Sequence, residues 1–206
     1  MKCKIIFIGC AFILFAISAC DKEQASRIDD YIVEFATVMN DGSSVKFKLD
    51  NQKILVPSAS DDFSDKKNGQ RIVLNYTPLN GDTVKVNSAS NIFTASLRTD
   101  GFPVEYHSDP VKIQSLWVGG NYLNAIIEVE YHDTAHTAAL FQPNPAEPDQ
   151  LYFSYSRNGD PAGYPVKAYA SFLLDKLKEY AGSQPFKFVL YINTYEGMRS
   201  IELQLK

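Results

Sequence analysis

Cysteine is nearly missing from this chain. Of its 206 residues only Cys3, Cys10 and Cys20 are cysteines, so nothing downstream of position 20 can form a disulfide or a thiolate metal site. Histidine is as scarce, with His107, His132 and His136 the whole supply, and tryptophan occurs once, at Trp117. No GxSxG elbow, phosphate-binding glycine loop or dinucleotide fingerprint is present, so neither an enzyme nor a cofactor is expected. There is no basic excess either: 20 Lys and Arg face 24 Asp and Glu, which makes nucleic acid a poor partner. No apolar run is long enough to cross a bilayer, a helical span of about 20 residues; the longest runs from residue 5 to 17.

That run instead has the build of a secretory signal. Lys2 and Lys4 precede it, and Ile17-Ser18-Ala19 close it with small residues before Cys20. An aliphatic residue and two small ones ahead of cysteine also resemble the bacterial lipobox. Cys20 is therefore expected to carry the acyl chains, with residues 1–19 removed and the mature protein held on a membrane by several chains. Lipidation also accounts for a cysteine that would otherwise be a free thiol in an oxidising compartment. Without Lys2 and Lys4 the mature chain carries 18 Lys and Arg, about −6 in formal charge. Residues 21–30 are polar, charged and aperiodic, a tether.

From Tyr31 onward the pattern becomes short runs rich in Val, Ile, Phe, Tyr and Thr, separated by Gly-containing turns. Strands are expected at 31–39, 44–49, 53–57, 70–79, 83–87 and 91–97, with Val45, Phe47 and Leu49 on one face of the second and Lys46 and Lys48 on the other. Five or six such strands without a long helix imply a small barrel or sandwich. Gly101 and Pro103 break the rhythm, which places a domain boundary at 104/105. Beyond it lie ten of the 12 tyrosines and about seven further strands, the number of a two-sheet sandwich. Among them 122–132 alternates Ile127, Val129 and Tyr131 against Glu128 and Glu130, a core face and a wet face. One short helix is expected at 175–181, capped by Asp175 and stopped by Gly182.

His132 and His136 are four apart, a zinc spacing on a helix. Here they flank a hairpin turn, and no Glu sits where a HExxH protease needs it, so both read as turn residues and no metal is expected. Glu128 and Glu130 share a face that reads as solvated rather than as an acid and base pair.

In order along the chain, the lipobox, Ala36-Thr37-Val38, Leu49-Asp50-Asn51, Gly69-Gln70-Arg71, Asn75-Tyr76-Thr77, Val84-Lys85-Val86-Asn87, Asp109-Pro110-Val111, Trp117 to Asn124 and Ser171-Phe172 resemble the NigD-like lipoproteins of the Bacteroidetes. The resemblance covers nearly the whole mature chain. It implies an OB-like barrel followed by a β-sandwich, set in the cell envelope, with the outer membrane the expected site; together with the strand pattern the expectation is an all-β protein with the barrel at 31–104 and a seven-stranded antiparallel sandwich at 105–206. It supplies no reaction. OB barrels bind oligonucleotides or sugars, but residues 31–98 hold eight Lys and Arg against seven Asp and Glu, no groove for phosphates. The expected role is contact with another envelope protein. A glycan is the alternative, with Trp117, Tyr122 and Tyr152 as its aromatic platform. Thr83 and Thr134 each follow Asp and precede a small aliphatic residue, which resembles an O-glycosylation acceptor of exported Bacteroidetes proteins.

Overall fold

The computed structural model describes residues 30–58, 63, 65–100, 106–182 and 185–206. The signal, Cys20 and most of the tether lie outside the described residues.

Five strands close a barrel in the order β1-β2-β3-β5-β4: β1 (Ile32–Asn40), β2 (Val45–Leu49), β3 (Ile54–Pro57), β4 (Arg71–Pro78) and β5 (Thr83–Asn91). The two-residue period decides which side chains enter. Phe47 and Leu49 of β2 are buried while Lys46 is exposed, and Ile72, Leu74 and Tyr76 of β4 meet Ala36 and Val38 of β1 inside. Truncating a large core residue such as Phe47, which is fully buried, costs about 3–5 kcal/mol. The β4–β5 pairing slips between Asn75 and Tyr76, a bulge that bends the ladder so the sheet can close.

The sandwich has two four-stranded sheets. One is β13-β12-β10-β9, from β9 (Thr137–Phe141), β10 (Gln150–Ser156), β12 (Phe186–Thr194) and β13 (Gly197–Leu205). The other is β6-β11-β8-β7, from β6 (Phe93–Ser96), β7 (Lys112–Gly119), β8 (Tyr122–Tyr131) and β11 (Tyr164–Leu173). Leu123, Ile127, Phe153, Phe172, Phe188 and Leu190 fill the core between them.

Four details differ from the sequence expectation. The strand near 91–97, expected before the boundary, is β6, and it pairs with β11 in the sandwich. The sandwich thus has eight strands among the described residues, and its β6/β11 and β10/β12 pairings are parallel rather than antiparallel. Both parallel pairs join strands distant in sequence, which hairpin turn signals cannot reveal. The helix α1 (Asp175–Ala181) forms and ends at Gly182 with φ 59°, yet Asp175 is its first helical residue and Leu174 occupies the N-cap without a side-chain bond. Finally, the wet face of β8 is wet only at one end. Glu128 takes bonds from Lys112 and Gln114, both 2.9 Å, whereas Asn124 on the same face is fully buried.

What buries Asn124 is the barrel. The outer faces of β1 and β4 carry Phe35 and Arg71, and these lie against Trp117 of β7, Asn124 of β8, and Tyr169 and Ser171 of β11.

Candidate functional site

Among the described residues Arg71 heads the fully buried side chains in size. Because its neighbour Ile72 points into the barrel, alternation turns Arg71 outward, into the seam between barrel and sandwich. Its Nη1 lies 2.9 Å from Asp50 Oδ1, an ion pair off the line of an N–H bond, and donates to Thr37 Oγ1 at 3.1 Å. Nη2 donates to Asn124 Oδ1 at 2.9 Å, and Nε reaches Ser171 Oγ at 3.4 Å. The guanidinium also stands 4.4 Å from the ring centroid of Tyr122, a cation–π contact.

Asp50 answers from the β2–β3 turn. Its Oδ2 accepts Asn124 Nδ2 at 2.8 Å and Trp117 Nε1 at 3.3 Å, and Ser171 Oγ donates to Asn124 Oδ1 at 2.6 Å. Residues from both domains thus surround one charge pair, whose Arg71 side is fully buried. The β7–β8 turn comes so close that a Cβ on Gly119 would stand 2.8 Å from Asp50 Cβ. One on Gly120, at φ 59°, would stand 2.7 Å from Asp50 Oδ1.

Two clefts open on this seam, with Asp50, Asn51 and Trp117 in the walls of both. The larger, about 1000 Å³, has a mixed lining in which Lys48, Gln52, Tyr122, Asp175 and Lys178 stand beside Val118 and Leu173. The smaller, about 330 Å³, is lined by Val33, Phe35, Ile126 and Tyr169 together with Glu34. Phe35 meets Trp117 edge-on at 4.8 Å and Tyr169 at 6.1 Å between ring centroids.

The structure divides the residues singled out from sequence. Trp117 and Tyr122 share the larger cleft; burial raises the Tyr122 hydroxyl pKa, with the Arg71 charge opposing. Tyr152 stands apart, stacked on Tyr191 at 4.7 Å and 18° in the other sheet, so the three aromatics form no common platform. Thr83 opens β5 beside Val56, and the Thr134 amide donates to Asp160 Oδ1 at 3.0 Å; both threonines are half-buried. His132 and His136 do not act as a pair. Nε2 of His136 lies 2.9 Å from Asp160 Oδ2 and Nδ1 lies 2.5 Å from the Tyr155 hydroxyl. Nδ1 of His132 lies 3.2 Å from Asp133.

His132, Asp133 and Asp160 do bring one potential metal-ligand atom each within 4.8 Å of one another. The Asp160 oxygens, however, already receive the amides of His132, Asp133 and Thr134. Burial alone would raise the Asp160 carboxyl pKa, but those amides and the His136 ring outweigh it and hold the group well below the usual carboxylate range. The carboxylate is committed to fixing the β8–β9 turn.

Asp50, Arg71, Asn124, Ser171, Phe35 and Tyr169 were not expected as site residues. Four of them lie inside the resemblance segments, at positions 50, 71, 124 and 171, and only the fold brings those segments to one point.

The comparisons agree with this architecture. A protein of Parabacteroides distasonis described as toxin-related has 28% identity over 86% of this chain and 94% of its own, with a TM-score of 0.77. A Bacteroides vulgatus protein of unknown function has 18% identity over 85% and 91%, at 0.73. A NigD-like immunity protein of Bacteroides caccae has 24% identity over 83% and 90%, at 0.63. Among curated proteins none matches. Residues 35–96 match the NigD-like N-terminal OB domain and residues 95–205 the NigD-like C-terminal beta sandwich domain, and the chain belongs to the NigD-like family.

Proposed function

We propose that this protein is a lipid-anchored, non-enzymatic module of the cell envelope, held by acyl chains on Cys20 at the outer membrane, that works by binding another protein. One observation carries the reading: the aromatic cleft between barrel and sandwich opens beside an exposed apolar edge. Val33 of its wall is 51% exposed, and Tyr31, two residues earlier on the same side of the extended chain, is 60% exposed. Concave apolar ground flanked by exposed aromatic and aliphatic side chains is what a protein partner's anchor residue needs. The buried Arg71 network holds the two walls in fixed relation, so little ordering cost attends binding.

Less supports the glycan alternative. Tyr152 is remote from the clefts, and Arg71 covers one face of Tyr122. Only Trp117 remains as a stacking surface, beside the amides of Asn51 and Gln52 in the larger cleft.

A photoreactive benzoylphenylalanine in place of Val33, in the full lipoprotein in its native envelope, tests the reading. A discrete protein adduct is expected at 33 and absent at the exposed Lys85. Loss of every adduct, together with saturable retention of the wild-type protein on envelope glycan, would replace the protein reading by the glycan one.

A further inference from the structure

An open strand edge presents unpaired amides and carbonyls to any other strand, unless it is short, bulged, covered or interrupted by proline. Three of the four margins of the sandwich are blunted in this way. Strand β6 is four residues long, the β7–β8 register shifts between Ile113 and Ser115, and Arg98 covers the end of β9, donating to Leu140 O at 2.9 Å and accepting the Gln142 amide at 2.7 Å. Strand β13 is different. It runs nine residues without proline, pairs with β12 at every position without a shift, and has no strand on its other side among the described residues. Its one charge on the core side, Arg199, stands exposed beside the turn. The main-chain groups on the free side follow from those of β12. Val189 N–H donates to Asp149 O at 2.7 Å and Asn193 C=O accepts the Val111 amide at 3.1 Å, so neither bonds to its β13 neighbour, Glu202 or Met198. Alternation then turns the amides and carbonyls of Met198, Ser200, Glu202 and Gln204 outward. On the core side of the same margin, Ile201 and Leu203 are only partly buried.

We propose that β13 pairs antiparallel with β13 of a second copy of this chain, about a two-fold axis at Ile201, joining the two four-stranded sheets into one. The charge pattern selects both the occupant and the register. Centred on Ile201, the pairing sets exposed Lys206 of each copy opposite exposed Glu196 of the other, so opposite charges meet at both ends. Between them Ser200 falls opposite Glu202, Met198 opposite Gln204 and Arg199 opposite Leu203, and no like charges face each other. Centred on Glu202 instead, the pairing would press that carboxylate against its own copy. At the axis the two Ile201 side chains meet, closing the half-open margin of both cores. Strand β13 contributes no residue to the smaller cleft, so this contact is separate from the partner site proposed there.

No cysteine follows position 20, so a single introduced thiol reports alone. In the full lipoprotein in its native envelope, Ile201→Cys under copper-phenanthroline oxidation should give a disulfide-linked dimer, because facing residues of an unbonded antiparallel pair lie about 4.5 Å apart at Cα, within disulfide reach. Lys85→Cys should give none. Sedimentation of the detergent-solubilised lipoprotein should show a dimer that dissociates on dilution. Lys206→Glu should weaken it roughly two- to thirty-fold through the two lost pairs, and adding Glu196→Lys should restore it. That rescue requires two copies, since the two residues stand at opposite ends of one strand. Ser200→Pro removes an outward amide but no bond to β12, and should leave a folded monomer. A monomer at every concentration, a dimer indifferent to both Ser200→Pro and Lys206→Glu, or equal linkage through position 85 overturns the pairing. So does an Ile201→Cys adduct with a different protein, which would give the edge to a strand of that protein.

Discussion

Arg71 of barrel strand β4 donates through Nη2 to Oδ1 of Asn124 on sandwich strand β8 at 2.9 Å, and both side chains are shut off from solvent. A charge placed there tolerates no vacancy, because its desolvation is repaid only by the full set of partners around it.

Asp50→Ala should therefore destabilise the protein by about 3–5 kcal/mol, the cost of stranding a buried charge. Arg71→Met on top of it should recover much of that loss, since an apolar side chain of similar length needs no counter-ion. Urea unfolding of the single and double variants measures both, and additive losses would show that Asp50 and Arg71 are not coupled.

The β7–β8 turn gives a second handle on the same seam. Gly120→Ala should cost about 1–3 kcal/mol from overpacking, because its Cβ meets Asp50 Oδ1 at 2.7 Å while φ is 59°. Gly81→Ala, with φ 60° and open space around it, is the control for backbone strain alone. Thermal melts of the pair separate the clash from the strain.

Strand β6 sets where the sandwich begins. Phe93 packs on Phe172 at 5.9 Å and Leu97 is 1% exposed in the sandwich core. A fragment of residues 92–206 should unfold cooperatively, and one of 105–206, which lacks β6 and leaves the edge of β11 bare, should melt lower or not fold. Calorimetry of the two compares them.

Acid stability should depend on Asp160. Its folded carboxyl pKa is depressed by the turn amides. Its contribution is complete above the ordinary carboxylate value of about 3.9 and is lost as pH falls below that toward the folded value. Asp160→Asn should lower stability at pH 7 and flatten the fall between about pH 4 and 2. A residual slope remains from Asp41, whose pKa is depressed by the Ser43 hydroxyl and the amides of Ser43 and Ser44.

At the membrane end, Cys20→Ala should abolish palmitate labelling and leave the precursor uncut. Intact mass of the wild-type mature protein also tests Thr83 and Thr134, since a mass explained by chain plus lipid leaves no room for a sugar.

Much of this protein was legible in one dimension, because strand periodicity and turn chemistry are local. The alternation of Phe47 and Leu49 against Lys46 and Lys48, the Gly-marked turns and the stop at Gly182 each follow from a few consecutive residues. The resemblance added the two-domain order. What no local pattern carries is which wet face becomes a seam. Asn124 and Glu128 stand on the same side of β8 under the same two-residue period, yet one is buried beneath Arg71 and the other is left to Lys112 and water. That choice, and with it the meeting of Asp50, Arg71, Trp117 and Ser171, was made by docking the barrel on the sandwich, because a charge can be buried only where partners from distant segments arrive together to replace its water.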